Sequence, residues 1–144
     1  MSNPFNINLI VPFKDNKGSK RKLFVAEIES YKKDLEGRAV ELKQDLETLF
    51  GDALKISIVA RSDRGAVSYY WRYKSSKEDR KYRRLANEQM QEYLLTIDQH
   101  RRNALKGIEE DLIYINGNLK VLKSMTDALE KTQAEQTELL SAPI

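Results

Sequence analysis

Residues Lys55 to Arg84 read KISIVARSDRGAVSYYWRYKSSKEDRKYRR. Here the spacing of apolar residues is that of strands, whereas on either side it is that of helices. Ile56, Ile58 and Ala60 alternate with Ser57, Val59 and Arg61. After Ser62-Asp63-Arg64-Gly65, Val67, Tyr69, Trp71 and Tyr73 alternate with Ser68, Tyr70, Arg72 and Lys74. β-Branched and aromatic residues on both sides of an Asp/Gly turn predict a β-hairpin. Ser75 to Asp79 supplies a second turn, and Arg80 to Leu85 is read as a short third strand. The expectation for residues 55–85 is a small antiparallel β-meander.

Pairing these strands creates two faces. Ile56 and Ile58 with Tyr69, Trp71 and Tyr73 form the apolar one, because side chains two apart share a face. Ser57, Arg61, Tyr70, Arg72 and Lys74 form the polar one. Aromatic residues on the first face are expected to anchor the meander to a core. Tyr70, on the second, is the candidate for an exposed stacking residue.

The stretch is also where the charge lies. It carries ten lysines and arginines against three acids, a net +7, so the rest of a chain whose total is +3 carries −4. Six of the ten are arginine, whose planar fork suits phosphate and carboxylate. Two uses compete. Charges along exposed strands discourage edge-to-edge aggregation and balance acidic helix surfaces such as Glu109-Glu110-Asp111. Alternatively they form a phosphate-contacting patch.

Upstream, Phe24, Ile28, Tyr31, Leu35, Ala39, Leu42, Leu46 and Leu49 follow one another at steps of three and four. That spacing predicts a helix over 21–50 with one apolar stripe, ended by Gly51-Asp52. Downstream, the stripe Met90, Leu94, Ile97, Arg101, Ala104, Ile108, Leu112, Ile115, Leu119, Leu122, Met125 and Leu129 predicts a long helix over 86–139. Arg101 interrupts its seam, and Thr96 to Asp98 offers a cap, so a break is expected near 96–98. Through Asn116-Gly117-Asn118 the stripe stays in register, so the helix is expected to continue there. Residues 1–20 are read as an extended arm, since Phe5, Ile7, Leu9, Val11 and Phe13 alternate while Pro4 and Pro12 restrict pairing to an edge.

The fold class that follows is α+β and mostly helical. A coiled-coil-like antiparallel hairpin of long helices carries a small antiparallel sheet between its arms. A length of 144 residues fits a single domain over 1–144. Apolar residues left over on the longer helix suggest a homodimer through the helices.

Several function classes find little support. There is no cysteine, so disulfides and thiolate metal sites are excluded and a reducing, cytoplasmic setting is expected. No apolar run is long enough to span a membrane, and the N-terminus does not read as a secretory signal. Gly-rich phosphate loops and nucleophile elbows are missing. The single histidine, His100, has Ile97 three residues before it rather than the Glu of a bundle metal site. No catalytic residue, cofactor or metal is expected.

The strand ending Ser68-Tyr69-Tyr70-Trp71-Arg72-Tyr73-Lys74, the basic segment after it and a helix opening QHRRNALKGIEEDL resemble small accessory proteins of unknown function from integrative conjugative elements, plasmids and phages. The resemblance covers residues 67–115. The order Asn103-Ala104-Leu105 departs from the pattern in those proteins. No activity is implied. What the resemblance implies is a mobile-element context, where small proteins bind DNA, assist transfer or block host defences.

The function expected is therefore a non-enzymatic nucleic-acid-binding accessory protein. Its candidate contact residues are Arg61, Arg64, Tyr70, Arg72, Lys74, Arg80, Lys81, Arg83 and Arg84. The alternative is a protein-interaction module or inhibitor of a host defence complex, which docks the same basic surface on an acidic partner.

Overall fold

The structure, a computed structural model, describes residues 18–75 and 81–144. The order of elements is α1 (Ser19–Phe50), a 3-10 turn (Gly51–Ala53), β1 (Ile56–Asp63), β2 (Ala66–Tyr73), α2 (Glu88–Leu94) and α3 (Gln99–Ser141). The class is α+β and mostly helical, with one two-stranded antiparallel sheet. Of the arm expected over 1–20, residues 1–17 lie outside the described residues and Ser19 and Lys20 already belong to α1; of the second turn expected over Ser75–Asp79, residues 76–79 lie outside them.

Two compact units divide the chain. The unit Leu35–Leu119 contains the sheet. Within it α1 and α3 run antiparallel: Arg38 pairs with Asp111 at 3.0 Å, and the Arg101 guanidinium lies 5.7 Å from the Phe50 ring. Ala39, Leu42, Leu46 and Phe50 of α1 pack with Leu105, Ile108, Leu112, Ile115 and Leu119 of α3 in one core. In the other unit, which joins residues 18–34 with Lys120–Ile144, the buried side chains are Phe24, Ile28, Leu122 and Leu129. There Arg21 donates to the Gln136 side chain at 3.2 Å.

Two stripe positions differ from the spacing. Phe50 is buried in place of Leu49, which is half-exposed. Leu105 replaces Ala104. Each site is one residue along from that expected, and each is filled by a bulkier side chain than the neighbour it displaces, Phe for Leu and Leu for Ala. Gly51 ends α1 with φ of 56°, a left-handed conformation that costs a glycine little. Helix α2 starts at Asn87, whose side chain accepts from the Gln89 N–H. Leu95 to Asp98 separates α2 from α3. Asp98 caps α3 by accepting from the Arg101 N–H at 3.0 Å, and that bond holds its carboxyl below the usual range. Helix α3 passes through Gly117 unbroken.

In the hairpin, Ile56 pairs with Tyr73, Ile58 with Trp71 and Ala60 with Tyr69. Arg64 and Gly65 form the two-residue turn, with φ of 53° and 80°. Positive φ at both positions is what a tight hairpin between twisted strands requires. Trp71 is fully buried. At about 25 cal/mol per Å2, an indole of roughly 200 Å2 contributes about 5 kcal/mol.

The third strand reduces to one bridge, in which Trp71 and Arg83 exchange N–H···O bonds of 2.9 Å. A side chain stops the ladder from growing. The buried Asn116 of α3 accepts from the Tyr69 N–H at 2.7 Å and donates to its carbonyl at 2.9 Å. Its amide stands where the next residue of a strand would be. An asparagine of the Asn116-Gly117-Asn118 run, through which the helix continues as expected, thus fastens helix to sheet.

Candidate nucleic-acid interface

Alternation sends Tyr69, Trp71 and Tyr73 inward and Tyr70, Arg72 and Lys74 outward. The outer face is a layer of rings and guanidinium groups. Tyr82, on the segment bridged to β2, has Arg61 and Arg72 each 5.5 Å from its ring centre. Tyr70 meets the Tyr82 ring edge-on at 6.1 Å and lies under Arg84 at 4.7 Å. Such contacts contribute about 0.5–1 kcal/mol each at exposed sites. They also hold long side chains in place, so less freedom is lost when those side chains engage a ligand.

Beneath this layer lies an ionic anchor. Glu109 of α3 is 7% exposed. Its carboxylate pairs with Arg84 at 2.9 Å and accepts from the Trp71 indole N–H at 3.2 Å and the Leu85 N–H at 2.6 Å. Arg84 donates also to the Tyr69 carbonyl at 2.7 Å. Burying a carboxylate is tolerable only with this degree of satisfaction. The phenol of Tyr69 is pushed above its ordinary range, chiefly by burial and then by the negative field of Glu36.

The candidate residues therefore fall into groups. Arg61 and Arg72 flank Tyr82; Arg64 occupies the hairpin turn; Lys74 follows the end of β2. None of these four has a carboxylate partner among the described residues. Arg84 is committed to Glu109 and the Tyr69 carbonyl, so it builds the face rather than standing free on it. The expectation for Tyr70 needs the same correction: it is half-buried, with Arg84 across its ring. Arg83 contributes its backbone to the bridge, and its side chain is half-buried. Lys81 is exposed. Arg80 lies outside the described residues.

Tyr82 went unnoticed in sequence. Its signal is positional: once Arg83 is opposite Trp71, Tyr82 and Arg84 share the outer face with Tyr70 and Arg72. Among the described residues no cluster of carboxylates, histidines or cysteines could hold a metal, and no helix is long and apolar enough to cross a membrane.

Comparison with known protein families, curated protein sequences and solved structures finds no match for the chain.

Proposed function

We propose that the chain is a non-enzymatic nucleic-acid-binding accessory protein that grips backbone phosphates with the outer face of its β-hairpin. One observation carries the reading. Arg61, Arg64, Arg72 and Lys74 lie on a single hairpin with no carboxylate partner among the described residues, while Arg84, from the same basic run, is neutralised by Glu109. An arginine whose purpose is structural has its acid beside it. Four without one form a site for anions brought from outside. Guanidinium groups at Tyr70 and Tyr82 favour phosphate over base stacking, since they already occupy the neighbourhood of the rings. The role would suit the mobile-element context that the resemblance of residues 67–115 implies, which is part of the proposal, and the lack of cysteine suits a reducing cytoplasm.

Phosphate binding has a thermodynamic signature. Each neutralised phosphate releases condensed counterions, so the logarithm of the duplex binding constant falls against log salt with a slope of about −0.9 per contact. Four contacts predict a slope of roughly −3.6. A fluorescence-anisotropy titration on a random duplex at several salt concentrations reads this directly. The competing use, docking on an acidic protein, predicts no measurable duplex binding even at low salt.

A further inference from the structure

We propose that the edge of β1 that is open among the described residues pairs with β1 of a second copy of this chain, antiparallel and centred on Ala60, to form a four-stranded sheet. This inference rests on the hairpin's edges and stands without the nucleic-acid reading.

The two edges of the sheet differ. On β2, the backbone groups of Tyr69 and Trp71 point away from β1 and are closed by Asn116 and Arg83. The alternation this sets, with Lys74 donating toward Lys55, fixes the directions on β1 as well. Ser57, Val59, Arg61 and Asp63 bond to β2. Ile56, Ile58, Ala60 and Ser62 turn their N–H and C=O groups outward, where no partner meets them among the described residues. An open edge of this length is a template for another strand, and proteins blunt such edges with charge, proline or a bulge. Here the lysines and arginines are concentrated on the segment after β2, from Lys74 to Arg84, and β2 itself carries only Arg72. The open strand, Ile56–Asp63, has only Arg61 and Asp63 as charges and no proline.

Complementarity selects a second copy as the occupant. A twofold axis at Ala60 pairs Ile58 with Ser62, Ala60 with Ala60 and Ser62 with Ile58, and sets Ile56 opposite Arg64 of the turn. The outward groups of Ile58, Ala60 and Ser62 are then matched strand to strand. In the same register Arg61 faces Val59, so like charges are never directly opposite. Asp63 of the second copy faces Ser57, and Arg64 of the second copy comes opposite Ile56. Ser57, which Asp63 of the second copy faces, lines a pocket together with Lys43, Glu47, Ile58 and Lys74. Lys74 suits the incoming aspartate and Glu47 the incoming arginine. Glu47 and Arg64 have no ionic partner within one copy among the described residues. The interface is isologous and closes on itself, which limits it to a dimer.

Sedimentation equilibrium over a range of concentrations, without nucleic acid, tests this on the full chain. Wild type is expected to associate reversibly to a dimer. Ala60→Pro removes an outward N–H and leaves the bonds to β2 untouched; it is expected to be monomeric at the same concentrations with an unchanged circular dichroism spectrum. Glu47→Arg is expected to raise the dimer dissociation constant about tenfold, the size of one lost charge-assisted contact, and the added Arg64→Glu to restore it. Monomeric wild type at every concentration overturns the proposal. So does a dimer that Ala60→Pro leaves intact, which locates the contact on the helices, or a charge swap that fails to rescue. Because nucleic acid is absent, monomeric protein that binds duplex sinks the dimer alone, and a dimer that ignores duplex sinks the nucleic-acid reading alone.

Discussion

Glu109→Ala is expected to destabilise the protein by about 3–5 kcal/mol, the cost of breaking a buried pair by removing one partner. The carboxylate serves three donors at once: the Arg84 guanidinium, the Trp71 indole and the Leu85 N–H. Truncation strands all three and opens a hole next to the largest buried side chain. Urea unfolding measures the loss, and the melting temperature should fall by roughly 10–15 °C. Glu109→Gln keeps the shape and one acceptor oxygen, so it should lose less. Replacing both Glu109 and Arg84 by methionine should recover part of the stability of the single mutant, since no charge is left unpaired, but not all of it, because Trp71 and Leu85 still lack an acceptor. A melting temperature unmoved by Glu109→Ala would mean that these bonds are not what joins α3 to the sheet.

The second large effect is on binding. Reversing Arg61 and Arg72 to glutamate replaces two attractive phosphate contacts with two repulsive ones. Duplex affinity at low salt should drop at least about 100-fold, and the salt slope should shrink by roughly 1.8. Stability should change little: the cation–π contact of each is with the exposed Tyr82 ring, and surface changes of this kind usually fall within about 0.5 kcal/mol. The pattern is opposite to that of Glu109→Ala, in which folding fails first. Anisotropy and thermal unfolding on the same preparations separate the two. A reversed variant that binds as well as wild type removes the hairpin face from the interface.

How far these residues are legible in sequence depends on the range of the interaction. Alternation placed Trp71, Tyr69 and Tyr73 on the buried face because a strand's period is local and strict. The gap between α2 and α3 is legible too, since Asp98 caps within its own chain segment. Glu109 is harder. In Glu109-Glu110-Asp111 it reads as part of an acidic surface, and only its place four residues after Leu105 and three before Leu112 puts it on the covered side of α3. Nothing local says that its partners are Arg84 and Trp71, far away in sequence. Asn116 is similar: Asn-Gly-Asn is turn chemistry by composition, yet here the amide bonds to a strand 47 residues away. Tyr82 was hidden because the single bridge at Arg83 sets which face it occupies, and one bridge leaves no alternating pattern to find. Charge density gathers the candidate arginines into one stretch of the sequence. Density alone could not divide Arg84, which has its acid, from Arg61 and Arg72, which do not.

The most direct test of the division into a holding face and a binding face is an amide NMR titration of the folded protein with a short duplex. The account predicts shifts concentrated at Arg61, Arg64, Arg72, Lys74 and Tyr82, with Trp71, Glu109 and Asn116 little changed and the shifts reversed by added salt. Shifts centred on the helices, or none at all at low salt, would contradict it.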